Sequence, residues 1–378
     1  MRIVHVASDR GIGGTARYLK EVLSSPAFGE DQLAVVVPPG TLADHLAAAL
    51  PHVQVWVRPM PSRSFHPSAL LDLLRLFRAW RPHVVHTHSS LSGRLAASLA
   101  GVPAVFYTRH GLKDRTSAQV KGFSLSIARS LERRLPHQVV AVSQKVAKEL
   151  AEEGIPEARI HVLYAPMDPG PFQALGERRE GVRSSLGIAP EEVVVLGTGR
   201  LVAEKRWEAW LDAVAEARDL LERQKGPRLR PLIAGDGPLK GRLEKRAASL
   251  DLDPSLFLGF HPDPLALYAA ADIFLLLSLR EAFSLAVVEA QMAGLPVVVA
   301  AESGSGEIIA DGETGRLVPA GSAAQAREIL VDLALHGEKR LRMGQWARVD
   351  AQRRHDPLQQ GRKLRELYLK ALSPGESP

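Results

Sequence analysis

Short runs rich in valine and isoleucine recur at 2–7, 33–37, 53–57, 83–86, 104–107 and 138–142, with longer segments of helical period between them. In 67–81, Leu70, Leu74, Phe77 and Trp80 fall at helical spacing while Arg75 and Arg78 take the other face, which predicts an amphipathic helix. A second series repeats the scheme. Its apolar runs lie at 193–197, 231–234, 256–258, 272–277 and 296–300, and its helical patterns at 207–223, 238–250, 285–293 and 321–335. Runs that are apolar on both faces and separated by helices predict parallel sheets covered on both sides. The pattern therefore predicts an α/β chain of two doubly wound, Rossmann-like domains, 1–168 and 183–350. A linker is expected in 164–190, which is rich in proline, glycine and charge. The last amphipathic pattern, 357–372, exceeds what the second domain needs and is expected to pack back on the first.

Composition narrows the chemistry. The chain has 378 residues, enough for two separate cores, and no cysteine, which excludes disulfides and thiolate metal sites and suits a reducing cytoplasm. The net charge of +6 favours anionic substrates. No stripe of mixed basic and aromatic residues and no zinc spacing supports nucleic acid as a partner. The first residues lack the apolar segment of a signal peptide, and no uncharged apolar run reaches the ~20 residues of a membrane-spanning helix. Between Phe123 and Leu135, the apolar Phe123, Leu125, Ile127 and Leu131 stand beside Arg129, Arg133 and Arg134. Such a segment fits a helix lying on an anionic membrane, and equally a core helix with a solvated face; the second is preferred. The expected location is cytoplasmic, with peripheral contact at the inner face of the membrane left open.

In open parallel sheets, ligands bind outside the carboxyl ends of the strands, so residues that follow the apolar runs are the candidates for chemistry. After 272–277 comes Glu281-Ala282-Phe283-Ser284-Leu285-Ala286-Val287-Val288-Glu289, two carboxylates eight residues apart with a helix start between them. Free amides and a partial positive charge make that helix start a seat for phosphate. The spacing alone fits a helix cap plus a surface glutamate equally well. Arg200 and Lys205 follow the first run of the second series, and His110 follows 104–107. Gly13 and Gly14 follow the first run of all. Gly11-x-Gly13-x-x-Ala16 also matches a dinucleotide fingerprint, but the second run ends in Pro38-Pro39 where that motif expects an acid. His86 and His88 share one face of a strand, yet no nearby carboxylate or cysteine completes a metal set. Asp251-Leu252-Asp253, just before Pro254, reads as a turn.

The segment from Glu281 to Glu289 resembles the Glu-x7-Glu motif of the retaining glycosyltransferase family 4, whose members have the GT-B fold. The resemblance extends over nearly the whole chain through Gly13-Gly14, His86-Thr87-His88, His110-Gly111, Ala141-Val142-Ser143, Gly199-Arg200-Leu201, Lys205, Gly235-Asp236-Gly237-Pro238, Leu258-Gly259-Phe260 and Asp311-Gly312-Glu313-Thr314-Gly315. It implies two domains facing across a cleft, the acceptor mainly on the first and a nucleotide-sugar donor mainly on the second. By that resemblance Glu281 binds the donor sugar and Glu289 the ribose. Arg200 and Lys205 grip the diphosphate, and His110 faces the sugar. Gly13, Gly14, Gly235, Phe260, Ala282, Phe283, Ser284 and Leu285 line the donor site.

Where the family loop reads Glu-Gly-Phe-Gly-Leu-Pro, this chain has Ala282, Ser284 and Ala286, and a Cβ at 282 or 284 could crowd the phosphate. The turn that reads Asn-Gly-Ile-Asp in the family is Ala165-Pro166-Met167-Asp168. The reading that results is a retaining hexosyltransferase. It moves a sugar from a nucleoside-diphosphate donor to a glycan or lipid-linked acceptor in cell-envelope or polysaccharide synthesis, with no metal or other cofactor. The alternatives are a nucleotide-sugar epimerase of similar fold and a catalytically silent, donor-binding scaffold subunit.

Overall fold

The structure, a computed structural model, describes residues 1–11, 13–60, 65–88, 90–112, 135, 138–261 and 263–373. The basic segment 123–134 thus lies outside the described residues. The chain forms two units, Met1–Met167 with His355–Pro378, and Asp168–Arg354.

In the first unit the strands are β1 (Arg2–Ala7), β2 (Gln32–Val37), β3 (Gln54–Val57), β4 (Val84–His88), β5 (Ala104–Arg109), β6 (Gln138–Ala141) and β7 (Ile160–Val162). All are parallel, in the order β3-β2-β1-β4-β5-β6-β7, so the winding direction reverses between β1 and β4. The helix Pro67–Trp80 buries Ala69, Leu73 and Phe77 against this sheet, with Leu70, Leu74 and Trp80 only partly covered. The deepest row is therefore displaced by one position from the expected stripe. Small Ala69 lets the helix approach, and the larger side chains flank the contact.

β4 runs two residues beyond the apolar run because Thr87 and His88 stay in register with Tyr107 and Thr108 of β5. Burying polar residues mid-sheet requires partners; His88 finds them in His5 and His110, and His86 in Thr108 and Tyr368. His5, His86 and His88 are at most 1% exposed. The His5 ring centroid lies 5.0 Å from that of His86, the His86 and His88 rings stack at 4.9 Å, and His110 stacks on His88 at 5.1 Å. The helix Pro357–Leu372 belongs to this unit. Its Tyr368 hydroxyl bonds His86 Nδ1, and Ser25 Oγ donates to Pro357 O at 2.7 Å. A Cβ on Gly361 would lie 2.0 Å from Ser25 Oγ, so that helix sits against the turn at Ser25 through a bare backbone.

The second unit holds β8 (Val193–Thr198), β9 (Leu229–Ala234), β10 (Phe257–Gly259), β11 (Ile273–Leu276), β12 (Val297–Ala300) and β13 (Gly315–Val318). These are parallel in the order β10-β9-β8-β11-β12-β13, with the reversal between β8 and β11. The expected linker is only partly a linker, since it contains the helix Leu175–Ser185, which belongs to this unit. Its arginines are anchors. Arg183, 5% exposed, pairs with Asp272 and donates to the carbonyls of Ala270, Ala189 and Glu192, and Arg179 also pairs with Asp272. The helix Gly337–Arg354 has no counterpart among the amphipathic patterns of the sequence. It buries mainly small residues, Gly344, Ala347 and Ala351 beside Met343, which leave no stripe of bulky apolar positions.

At Gly235 (φ 153°) a Cβ would lie 1.9 Å from Gly199 O, so Gly235→Ala should cost about 3 kcal/mol in urea unfolding. A loss under about 1 kcal/mol would contradict this packing. Burial, with mutual repulsion in the cases of His86 and His88, holds the four imidazoles below their usual 6.5, at about 3 for His5 and about 4 for His110. Between pH 6.5 and about 4 the unfolded chain therefore takes up protons that the folded chain does not, and stability falls as pH falls. Urea unfolding at pH 7.5 and 5.5 should show a loss of about 1 kcal/mol per buried imidazole. Equal stabilities at the two pH values would exclude neutral, buried rings.

Candidate active site

In the second unit the loops after β8 and β9 are strapped together by main chain. Gly199 N–H donates to Ala234 O at 3.0 Å, Leu201 N–H to Asp236 O at 2.9 Å, and Gly235 N–H to Gly259 O at 2.8 Å. A Cβ on Gly237 would lie 2.5 Å from Leu201 O, so glycine is required by close approach here as at Gly235. Beneath the strap, the Trp207 indole N–H donates to Arg200 O at 2.9 Å and Trp210 bonds Leu275 O at 3.0 Å. Both rings are at most 2% exposed, so the start of the loop rests on a rigid aromatic floor. The loop ends in the short turn Ala203–Lys205, which delivers Lys205.

Across the sheet reversal, β11 leads through Glu281 into the helix Leu285–Met292. Lys205 Nζ is ion-paired with Glu281 Oε2, and these side chains are only 17% and 16% exposed. The loop after β12 holds the Glu281 segment in place. Gly304 N–H donates to Glu281 O at 2.9 Å, and Ser284 N–H donates to Ser305 Oγ at 2.8 Å. Ala282 and Ser284 are 6% and 5% exposed, so their extra carbon atoms are housed inside the unit. Leu285 and Ala286 supply the first amides of the helix, which have no intrahelical carbonyl to bond. Within the helix, Glu289 Oε2 accepts a hydrogen bond from the Tyr268 hydroxyl at 2.8 Å.

The expected residues do not all meet. Lys205 and Glu281 touch, and Gly235 is part of the strap that shapes the Arg200 loop. The Arg200 side chain is exposed, and among the described residues no ion pair joins it to Glu281. Phe283 and Leu285 are half-buried at the helix start, while Phe260, just after β10, is 82% exposed. Asp251 and Asp253 flank a tight turn. Asp251 has φ 52°, and Asp253 Oδ1 accepts from Ser255 N–H at 2.8 Å.

Gly13, Gly14 and His110 lie in the first unit. Gly13 caps the helix Gly14–Leu23, and a Cβ on Gly13 or Gly14 would meet nothing within 4 Å. Protein packing therefore does not demand glycine at either position. His110 follows β5 in a turn clasped by Arg109, whose Nε donates to Gly111 O at 3.0 Å and whose Nη2 pairs with Glu153 at 3.3 Å. Tyr18 packs edge-on to the His110 ring at 4.8 Å.

Sequence reasoning missed Tyr268, Trp207, Arg109 and the Ser303–Ser305 loop. A tyrosine whose hydroxyl reaches a neighbouring helix leaves no periodic trace. Ser303-Gly304-Ser305 did carry a signal, because a cluster of serine and glycine after a buried strand marks a turn beside the site.

Two family models together match most of the chain. A model described as Glycosyltransferase Family 4 matches residues 12–170, and one described as Glycosyl transferases group 1 matches residues 178–350. The D-inositol 3-phosphate glycosyltransferase of Saccharomonospora viridis is 30% identical over 358 residues, 88% of this chain and 80% of that protein. Its counterpart from Rhodococcus opacus is 34% identical over 260 residues, 62% of this chain, and the chain spans only 56% of that relative's length. Among solved structures, Anabaena HepE in complex with UDP-glucose matches with a TM-score of 0.82 at 22% identity, over 98% of this chain and 100% of HepE. Two parallel, doubly wound sheets, reversed between β1 and β4 and between β8 and β11, agree with the GT-B fold of these proteins. The chain belongs to the glycosyltransferases of family 4 and group 1.

Proposed function

We infer that the chain is a hexosyltransferase that takes its sugar from a nucleoside-diphosphate donor, with a glycan or lipid-linked hydroxyl as acceptor. The observation that carries this reading is the Lys205–Glu281 pair at the start of the helix Leu285–Met292. A diphosphate needs positive charge, and a sugar needs hydrogen-bond acceptors for its hydroxyls. Here a lysine is paired with a carboxylate just before two helix amides that have no intrahelical partner, and an exposed arginine lies on the same loop as the lysine. When the donor binds, Lys205 passes from Glu281 to the diphosphate, and Glu281 is released to the sugar hydroxyls. Glu289, oriented by Tyr268, takes the ribose diol. His110 contributes to sugar recognition from the first unit.

The reaction proceeds with retention at the anomeric carbon, on the face from which the phosphate leaves. The glycosidic C–O bond breaks and its electron pair stays on the phosphate oxygen. That oxygen takes the proton of the acceptor hydroxyl, whose oxygen bonds the anomeric carbon. Arg200 and Lys205 stabilise the charge that grows on the leaving group, the role a metal plays elsewhere. Cell-envelope or polysaccharide assembly is the setting this reading implies.

A thermal-shift screen of nucleoside diphosphates and nucleotide sugars tests the donor directly, since a ligand at a hundred times its Kd stabilises by about 2.7 kcal/mol. One base should stand out, and a flat response across all of them would contradict the reading. Lys205→Ala and Glu281→Gln should each lower kcat by about 10²- to 10³-fold in a folded protein, and unchanged turnover in either would remove the assigned roles. Tyr268→Phe should weaken binding of the preferred nucleoside diphosphate by about three- to tenfold, measured by calorimetry, through loss of one hydrogen bond to Glu289.

A further inference from the structure

The three buried histidines behind His110 are not used by the mechanism above, yet two of them, His5 and His88, are bonded to it in a line. His5 Nδ1 lies 3.0 Å from His88 Nε2, and His88 Nδ1 lies 2.8 Å from His110 Nε2. Both nitrogens of His88 are therefore engaged, one toward the core of the sheet and one toward the residue at its carboxyl edge. His86 stands beside this line without joining it. Its Nε2 is 2.6 Å from Thr108 Oγ1, its Nδ1 bonds the Tyr368 hydroxyl, and its ring stacks on His88 with 10° between the planes.

A neutral imidazole carries one N–H, on one nitrogen or the other. In a line of neutral rings the choice is shared. If His88 donates from Nδ1, His110 must accept at Nε2 and carry its proton on Nδ1. If His88 accepts at Nδ1, His110 donates from Nε2 and is bare at Nδ1. Either way His110 Nε2 is committed, and Nδ1 is the nitrogen left to meet a substrate.

We propose that His88, backed by His5, is a positioning residue that fixes the ring plane and the tautomer of His110, so that its Nδ1 has one defined hydrogen-bonding sense toward the donor sugar. Fixing the second nitrogen is how proteins orient histidines that act at the first. The surroundings suit the task. Tyr18 closes on the His110 ring, Arg109 clasps its turn, and the stacked His86 prevents His88 from rotating out of line. The site-facing part of this proposal rests on the transferase reading of His110, whereas the bond between the rings does not.

The experiment uses the full chain labelled with 15N-histidine, ligand-free and near neutral pH. In the wild type a 15N–15N coupling across the hydrogen bond should join His88 Nδ1 to His110 Nε2, and His110 should show a single tautomer. Two substitutions separate the two ends of His88. An asparagine amide lies where imidazole Nδ1 lies, and a glutamine amide reaches the place of Nε2. His88→Asn should keep His110 in one tautomer, and His88→Gln should let it mix. Absence of the wild-type coupling, or identical His110 spectra in all three proteins, would overturn the proposal. The same proteins are then tested for hydrolysis of UDP-glucose without acceptor. His88→Gln should lower kcat about tenfold with KM unchanged, and His88→Asn should restore most of it. A wild type that binds and cleaves none of the nucleotide sugars of the thermal-shift screen, UDP-glucose included, while the tautomer results hold would count against the transferase reading, not against the bond between the rings.

Discussion

Lys205 and Glu281 come from loops far apart in sequence and meet where the second sheet reverses its winding, between β8 and β11. The contacts of the surrounding loops hold them there. The Trp207 indole fixes the carbonyl of Arg200, and the Gly199, Gly235 and Gly237 backbones lock the β8 and β9 loops together. From the other side, Gly304 and Ser305 hold the Glu281 loop and the start of the following helix. Two charges this poorly solvated are costly apart, and each is the other's compensation. In the proposed reaction a diphosphate replaces Glu281 as the partner of Lys205 without stranding either charge, since the sugar hydroxyls become the partners of Glu281.

The first unit solves the corresponding problem with neutral groups. Its reversal point, between β1 and β4, is filled by His5 and His88, with His86 alongside and His110 at the edge. Burial keeps these rings uncharged, so the line of histidines offers a hydrogen bond and no charge of its own. The two reversal points thus differ, ionic in the second unit and neutral in the first.

Much of this was legible in the sequence. Buried parallel strands write themselves as unbroken valine and isoleucine runs, and the residues just after those runs gave Lys205, Glu281 and His110. The helix Leu175–Ser185 was read as linker because its contacts are arginine to carbonyl and arginine to Asp272, and such contacts look like surface charge in a sequence. The helix Gly337–Arg354 escaped because small residues do its packing. Tyr268 and the line of histidines were illegible for a different reason. Their meaning lies in which strands become neighbours, and β1, β4 and β5 are brought together only by the topology.

The most direct test is a crystal structure of the chain grown with the nucleoside diphosphate that stabilises it most. The account predicts diphosphate oxygens against the amides of Leu285 and Ala286, Lys205 Nζ moved from Glu281 onto the diphosphate, and the ribose diol on Glu289. A nucleotide bound elsewhere, with the Lys205–Glu281 pair still closed, would contradict it.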